Sequence, residues 1–367
     1  VKRPFLLASL SFVTLLTASA CSSAAGSAVD VDPATASAGI KAATALTTKY
    51  SADTVASELP EGANPISARK LIVTVPCAYA AENCKRGVDA FAEAARAVGW
   101  TTKMIDPAGN PDKARAAVQT AINLGADGIF FMAGSGEALG AALKDARAAG
   151  LVTVNVEGGT NVKGQFDTDI EPSATGMGRL LAAQITVQSK GKAKVLLVND
   201  PEFKAVVDIH KGLVDGLKEF CPGCMITDDI SFQIADLSGG LPTQVQSALA
   251  AHPDTDTVWA AYDAAASSIE PVIERSANGD SISMVSTDGL KSNLEAIRSG
   301  GVQTADVAAE SQWLAYQSLD EMDRVFGGGE PELNIAAPYK LMTKDTITTV
   351  PWDGDVAWKS TYLTRWK

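Results

Sequence analysis

Three carboxylates, Glu157, Asp263 and Asp288, each follow a short apolar run that reads as a strand, and Tyr79 and Tyr262 stand in comparable places. A carboxylate is a planar acceptor that bridges neighbouring donors, and a tyrosine ring offers an apolar face. Such a set suits a small polar molecule carrying O–H or N–H donors and a C–H face. Each group also has a plainer use. Asp263 and Asp288 both precede helical segments and are placed to cap them. Tyr79 lies between two cysteines and can simply cover them. Asp169, which closes a glycine-rich crossing begun at Gly158, joins the candidates.

Other chemistries find little support. The two histidines, His210 and His252, have no cysteine or carboxylate at metal spacing, so neither a metal nor a cofactor is expected. No Gly-x-Ser-x-Gly elbow and no phosphate-binding GxxxxGK(S/T) loop occurs. Ala133-Gly134-Ser135-Gly136 reads as a tight turn into a helix. Beyond Cys21, Cys77, Cys84, Cys221 and Cys224 allow three pairings, of which Cys77–Cys84 with Cys221–Cys224 is the simplest. Cys221-Pro222-Gly223-Cys224 follows a helix and precedes a strand, the reverse of the redox arrangement.

The elements that must position these residues alternate strand and helix. KLIVTVP from Lys70 is a continuous apolar run, as a parallel strand buried on both faces requires. The next segment places Val88, Phe91, Ala92, Ala95 and Val98 on one helical stripe that stops at Gly99. The alternation continues to Val156, then repeats after the crossing. AVQTAINLGADGIFF in the first half parallels QVQSALAAHPDTDTVWAAY in the second. The expected fold is α/β, with two doubly wound parallel-sheet lobes and a ligand cleft at their strand ends. Lobe 1 is expected over 70–166 plus 310–335, and lobe 2 over 167–309 plus 336–349. Three crossings, at Gly158–Asp169, Gly301–Glu310 and Ala336–Leu341, form the hinge, and 350–367 is a tail holding three of the six tryptophans.

With 46% hydrophobic and 20% charged residues the chain is globular, and its net charge of −12 argues against nucleic acid and anionic membrane as partners. Residues 1–20 read as a signal peptide, with Lys2 and Arg3 before an apolar run too short to span a bilayer. The segment resembles a bacterial lipoprotein signal, which makes Cys21 the acylated first residue of the mature chain. Residues 21–69 read as a tether and N-terminal extension, with one or two short helices after Ala34.

The order of elements, together with Gly125–Ile129, Tyr262-Asp263, Val285–Gly289 and Gly301-Val302, resembles a type I periplasmic binding protein of the ribose- and sugar-importer kind. The resemblance covers Lys70 to Ile347 and implies a clamp of aromatic and amide groups in the first loop, here Tyr79, Glu82 and Asn83. An Asp-Arg pair after the fourth strand becomes Glu157-Gly158, without the arginine. The resemblance further places Lys211 or His210 where an arginine usually projects, Tyr262 and Asp263 after one second-lobe strand, Asp288 after the next, and Glu310 at the second crossing. It implies an extracytoplasmic, lipid-anchored monomer that binds a monosaccharide or polyol and docks on an ABC permease, without catalysis. A receptor feeding a membrane sensor, and a secreted redox or hydrolytic enzyme, are the alternatives. Carboxylates without a placed arginine suit a neutral or cationic ligand better than an anion.

Overall fold

The computed structural model describes residues 32–52, 59, 64–66, 69–352 and 354–367. Strand β1 (Leu71–Val75) buries Ile72, Val73, Thr74 and Val75 on both faces, the condition under which parallel strands form. It is joined by β2 (Thr101–Met104), β3 (Gly128–Met132), β4 (Val152–Val156), β5 (Thr168–Pro172) and β11 (Asn334–Ala337). The order is β11-β5-β4-β3-β1-β2, parallel throughout. Helices α2 (Glu82–Ala97), α3 (Pro111–Asn123), α4 (Gly136–Ala148) and α10 (Ser311–Phe326) cover its faces.

The second sheet contains β6 (Lys194–Asn199), β7 (Met225–Ser231), β8 (Thr257–Ala260), β9 (Ser283–Asp288), β10 (Gln303–Ala309) and β12 (Tyr339–Thr343). Its order is β12-β10-β9-β8-β6-β7, with only β12 antiparallel to its neighbour. Around it lie α5 (Ala174–Gln188), α6 (Lys204–Phe220), α7 (Gly240–Ala251), α8 (Asp263–Glu274) and α9 (Lys291–Ser299). Gly178 and Gly212 let α5 and α6 approach so closely that a Cβ on either would overlap the other helix's backbone.

The two parallel lobes match the expected fold class, but the first crossing sits elsewhere and the other two are shorter than expected. Gly158–Asp169 is not the first crossing. Thr168–Pro172 is a short buried strand that extends the first sheet, and the chain leaves for the second lobe only after Pro172. Gly301–Glu310 is mostly β10, an internal strand of the second sheet, so the second crossing narrows to Glu310. The third falls at Pro338, between β11 and β12.

The N-terminal extension is one helix among the described residues, α1 (Pro33–Ser51), opened by the Asp32 side chain accepting from the Thr35 N–H. It lies on the second lobe, with Gly39 against the Phe220 carbonyl, Ala43 buried, and Tyr50 stacked on Tyr339 at 4.7 Å. The tail ends in α11 (Trp358–Arg365) and touches both lobes. Trp352 is buried with Leu294, Ile297 and Met342 of the second lobe, whereas Trp358, Tyr362 and Trp366 pack around Tyr316 of the first. The signal-peptide and Cys21 readings lie outside the described residues.

Candidate functional site

The carboxyl ends of both sheets face one another across a cavity of about 100 Å³. Three of its lining residues have positive φ: Ala133 and Glu157, directly after β3 and β4, at 54° each, and Asp288, the last residue of β9, at 116°. Such backbone costs energy for non-glycine residues and clusters at functional sites. The lobes are closed on each other: Gly159 abuts Lys204 and Ala205, and Gly109 abuts Ile234.

Asn83, in the first turn of α2, connects the two walls. Its amide donates to Glu157 Oε2 at 2.8 Å and, more weakly, to Asp288 Oδ1 of the opposite lobe at 3.5 Å. Ser311, at the start of α10, donates to Asn83 Oδ1 at 2.6 Å and lies 3.1 Å from Glu157 Oε1. The paired cysteines Cys77–Cys84, with Cα atoms 5.9 Å apart, tie the end of β1 to this turn and themselves line the cavity. Cys221 and Cys224, 5.2 Å apart, form the second pair, remote from the cleft.

Of the residues expected from sequence, Glu82, Asn83, Glu157, Tyr262 and Asp288 line the cavity together. The others do not. The Tyr79 hydroxyl donates to Asp89 at 3.1 Å, and its N–H donates to Asp106, so the ring serves the surface of the first lobe. Asp169 is buried behind Gly158, where it accepts from the Asn155 amide at 2.7 Å. Lys211 is 70% exposed and pairs with Asp215 at 2.6 Å. Asp263 is fully buried inside the second lobe and makes only long-range contacts there, accepting from the Leu290 N–H at 2.7 Å and the Gln303 amide at 3.0 Å. Glu310 is 2% exposed and lies beneath Gly354 of the tail. His210 pairs with Asp229 at 2.9 Å, outside the lining.

The position where the resemblance implies an arginine has a steric reason to be glycine. A Cβ at Gly158 would overlap the Asn155 amide and come within 2.6 Å of Asp169 Oδ2. A guanidinium is supplied from elsewhere: the charge of Arg86, one helical turn beyond Asn83 on α2, acts on both Glu157 and Asp288 and opposes the rise that burial causes in each. Sequence reasoning also missed Glu171 at the end of β5, and Asp200 after β6, which accepts from the Tyr262 hydroxyl at 2.8 Å. The signals were present. Arg86 is three residues from Asn83, and Asp200 follows the strand KVLLVN directly.

Burial dominates the electrostatics. It raises Glu157 above the usual carboxylate range, against the hydrogen bonds from Ser311 and Asn83. It raises Asp288 further, helped by the charges of Asp263 and Glu157. Glu171 is pushed up to about 7 and Asp200 to about 6, both chiefly by desolvation. The Tyr262 phenol is also raised, by burial and then by Asp200. Behind the cavity wall, burial raises both Asp263 and Asp306, and the charge of Asp263 raises Asp306 further. Among the described residues no group of three or more His, Cys, Asp and Glu is arranged to hold a metal ion, and no helix is long and apolar enough to cross a membrane.

Comparison with solved structures gives the same fold at low identity. A solute-binding protein of an ABC transporter from Agrobacterium vitis, with bound allitol, superposes with a TM-score of 0.70 at 20% identity, over 76% of this chain and 97% of that one. A glucose-galactose binding protein from Geobacillus stearothermophilus gives 0.70 at 16%, over 77% and 100%. A solute-binding protein from Burkholderia graminis, in complex with D-arabinose, gives 0.69 at 14%, over 80% and 100%. No curated protein sequence matches the chain significantly. The periplasmic binding protein domain matches residues 74–330, most of the chain, and spans both lobes. The chain therefore belongs to the periplasmic binding protein family, and is a binding protein rather than an enzyme.

Proposed function

We propose that the chain is the extracytoplasmic solute-binding lipoprotein of an ABC importer, and that it takes a monosaccharide or polyol between its lobes. The observation that carries this reading is the interlobe cavity, where Asn83 reaches carboxylates of both lobes. A molecule with several hydroxyls replaces that bridge with its own donors and holds the lobes closed, which is the state a permease recognises. Phe203 and Tyr262, with ring centroids 6.3 Å apart, offer the apolar surface for its C–H groups. Relatives of the same fold bind allitol and D-arabinose, which supports a polyhydroxylated ligand. Acylation at Cys21 would hold the mature protein at the outer face of the membrane as a monomer.

A thermal-shift screen over pentoses, hexoses, polyols and amino acids tests the ligand class, because binding to the folded form raises the melting temperature. A rise of several degrees with at least one sugar or polyol is expected. A response confined to amino acids refutes the assignment. Metabolic labelling with a radioactive fatty acid, in cells expressing the parent chain and Cys21→Ala, tests the anchor. Label retained by the variant excludes it.

A further inference from the structure

The cavity's side chains are unbalanced in a way that a neutral sugar does not need. Its side-chain donors are already committed within the protein. The Asn83 amide donates to Glu157 and Asp288, the Tyr262 hydroxyl to Asp200, and the Thr287 hydroxyl to the Ala261 carbonyl. Open capacity lies with acceptors. Glu82, Glu171 and Asp288 all line the space, and Glu171 Oε2 is buried without a hydrogen-bond partner. No lysine or arginine lines it among the described residues; Arg86, behind Asn83 on α2, offsets the charge of Glu157 and Asp288, whereas the cation acting on Glu171 is Lys204. Lys204, near Glu171, is taken by Asp208 on the same helix face. The wall around these acids is otherwise apolar, with Met177, Phe203, Ile209 and Ile234.

A hydroxyl donates one hydrogen bond and its oxygen calls for a donor in return, whereas an ammonium donates three and accepts none. A buried carboxylate oxygen without a partner is costly, and a cation that hydrogen-bonds to it removes that cost on both sides. We propose that the ligand of this cleft is an amino sugar or amino polyol whose protonated amine pairs with Glu171, while its hydroxyls engage Glu157 and Asp288. The proposal rests on the small polyhydroxylated ligand assigned above and narrows it. Backbone N–H groups at the starts of α6 and α8, beside the lining residues Ala205 and Ala264, remain to serve hydroxyl oxygens. The pKa of Glu171, near 7 through burial, fits a carboxyl that awaits a cation.

Calorimetry on the mature chain with matched pairs provides the test. D-glucosamine is set against D-glucose, D-galactosamine against D-galactose, and 1-amino-1-deoxy-D-sorbitol against D-sorbitol, with the N-acetylated amines as neutral controls. At least one amine is expected to bind ten- to a hundredfold tighter than its neutral partner, the gain of a charge-assisted hydrogen bond. At pH 7 its binding should release about half a proton, as Glu171 becomes fully ionised. In Glu171→Gln, confirmed as folded by its melting curve, the preference should shrink to within about threefold. Neutral sugars or polyols that bind as tightly as their amines overturn this proposal and leave the sugar-binding reading intact. If neither class binds, both fall. A preference for the amine that persists in Glu171→Gln also overturns the assignment to that carboxylate.

Discussion

Glu171 and Asp200 couple the cleft to pH in a direction opposite to that of a salt-bridged acid. Their pKa values, about 7 and about 6, lie above the ordinary 4.5 and 3.8. The folded chain therefore binds protons more tightly than the unfolded chain, and stability is fully present below the unfolded pKa and lost as pH rises through the folded one. Ligand-free protein is expected to melt at higher temperature at pH 5 than at pH 8. Glu171→Gln should recover up to about 3 kcal/mol of that loss, measured by urea unfolding at both pH values. An unchanged pH dependence in the variant would show that Glu171 is not the responsible group. Gly158 yields a second expectation. Gly158→Ala forces the Asn155 amide away from Asp169 and from the Gly134 N–H, which it holds through Oδ1 at 2.9 Å. Overpacking of this kind costs about 1–3 kcal/mol, and ligand affinity should fall with it. A variant with parental melting temperature and affinity would refute the steric account. These side chains also show where sequence runs out. Asp263 and Asp288 both follow apolar strands, yet one is used inside the second lobe and the other at the cavity. The difference lies in the backbone: Asp288 has φ 116°, whereas Asp263 opens α8 and turns toward Gln303.

The loop between β1 and α2 places the most cavity groups of any short segment, and its shape depends on a covalent tie. Cys77 and Cys84 hold the first turn of α2, so that Glu82 and Asn83 meet the cavity while Tyr79 is turned to Asp89. The closed loop is short, so the stability at stake is only about 2 kcal/mol, whereas the position of Asn83 is decisive. Replacing both cysteines by serine is therefore expected to lower the melting temperature modestly and to weaken ligand binding about tenfold or more, the cost of re-ordering a loop. Calorimetry and melting on the same preparation separate the two effects, and unaltered affinity would sink the idea. Most elements of this kind were legible, because buried parallel strands are continuous apolar runs and the helices carry clean stripes; α10 spans Ser311–Phe326 as its pattern required. β5 was not. Its sequence, Thr-Asp-Ile-Glu-Pro, holds two acids, and only pairing with β4 and β11 makes it a strand.

Closure of two lobes about three short crossings leaves the tail as an additional link between them. Trp352 is anchored in the second lobe and Trp358, Tyr362 and Trp366 in the first, with Asp355 between them accepting from the buried Lys340 at 2.9 Å. The Tyr316 ring, on the helix that follows the second crossing, meets Trp358 edge-on at 5.1 Å and stacks on Trp366 at 5.4 Å. The tail thus braces the helix whose first residue, Ser311, donates to Asn83 in the cavity. Truncating Trp358 to alanine removes a nearly buried indole, 3% exposed, and should cost about 3–5 kcal/mol. The melting temperature is expected to drop by about 10 °C. Because α10 carries both the aromatic brace and Ser311, ligand affinity should fall as well, even far below the melting range. Trp352→Ala, in a cluster on the second lobe with no contact to α10's aromatic face, should lower stability without that loss of affinity. If the two variants weaken ligand binding equally, the tail acts only as a general stabiliser and does not hold the cavity through α10.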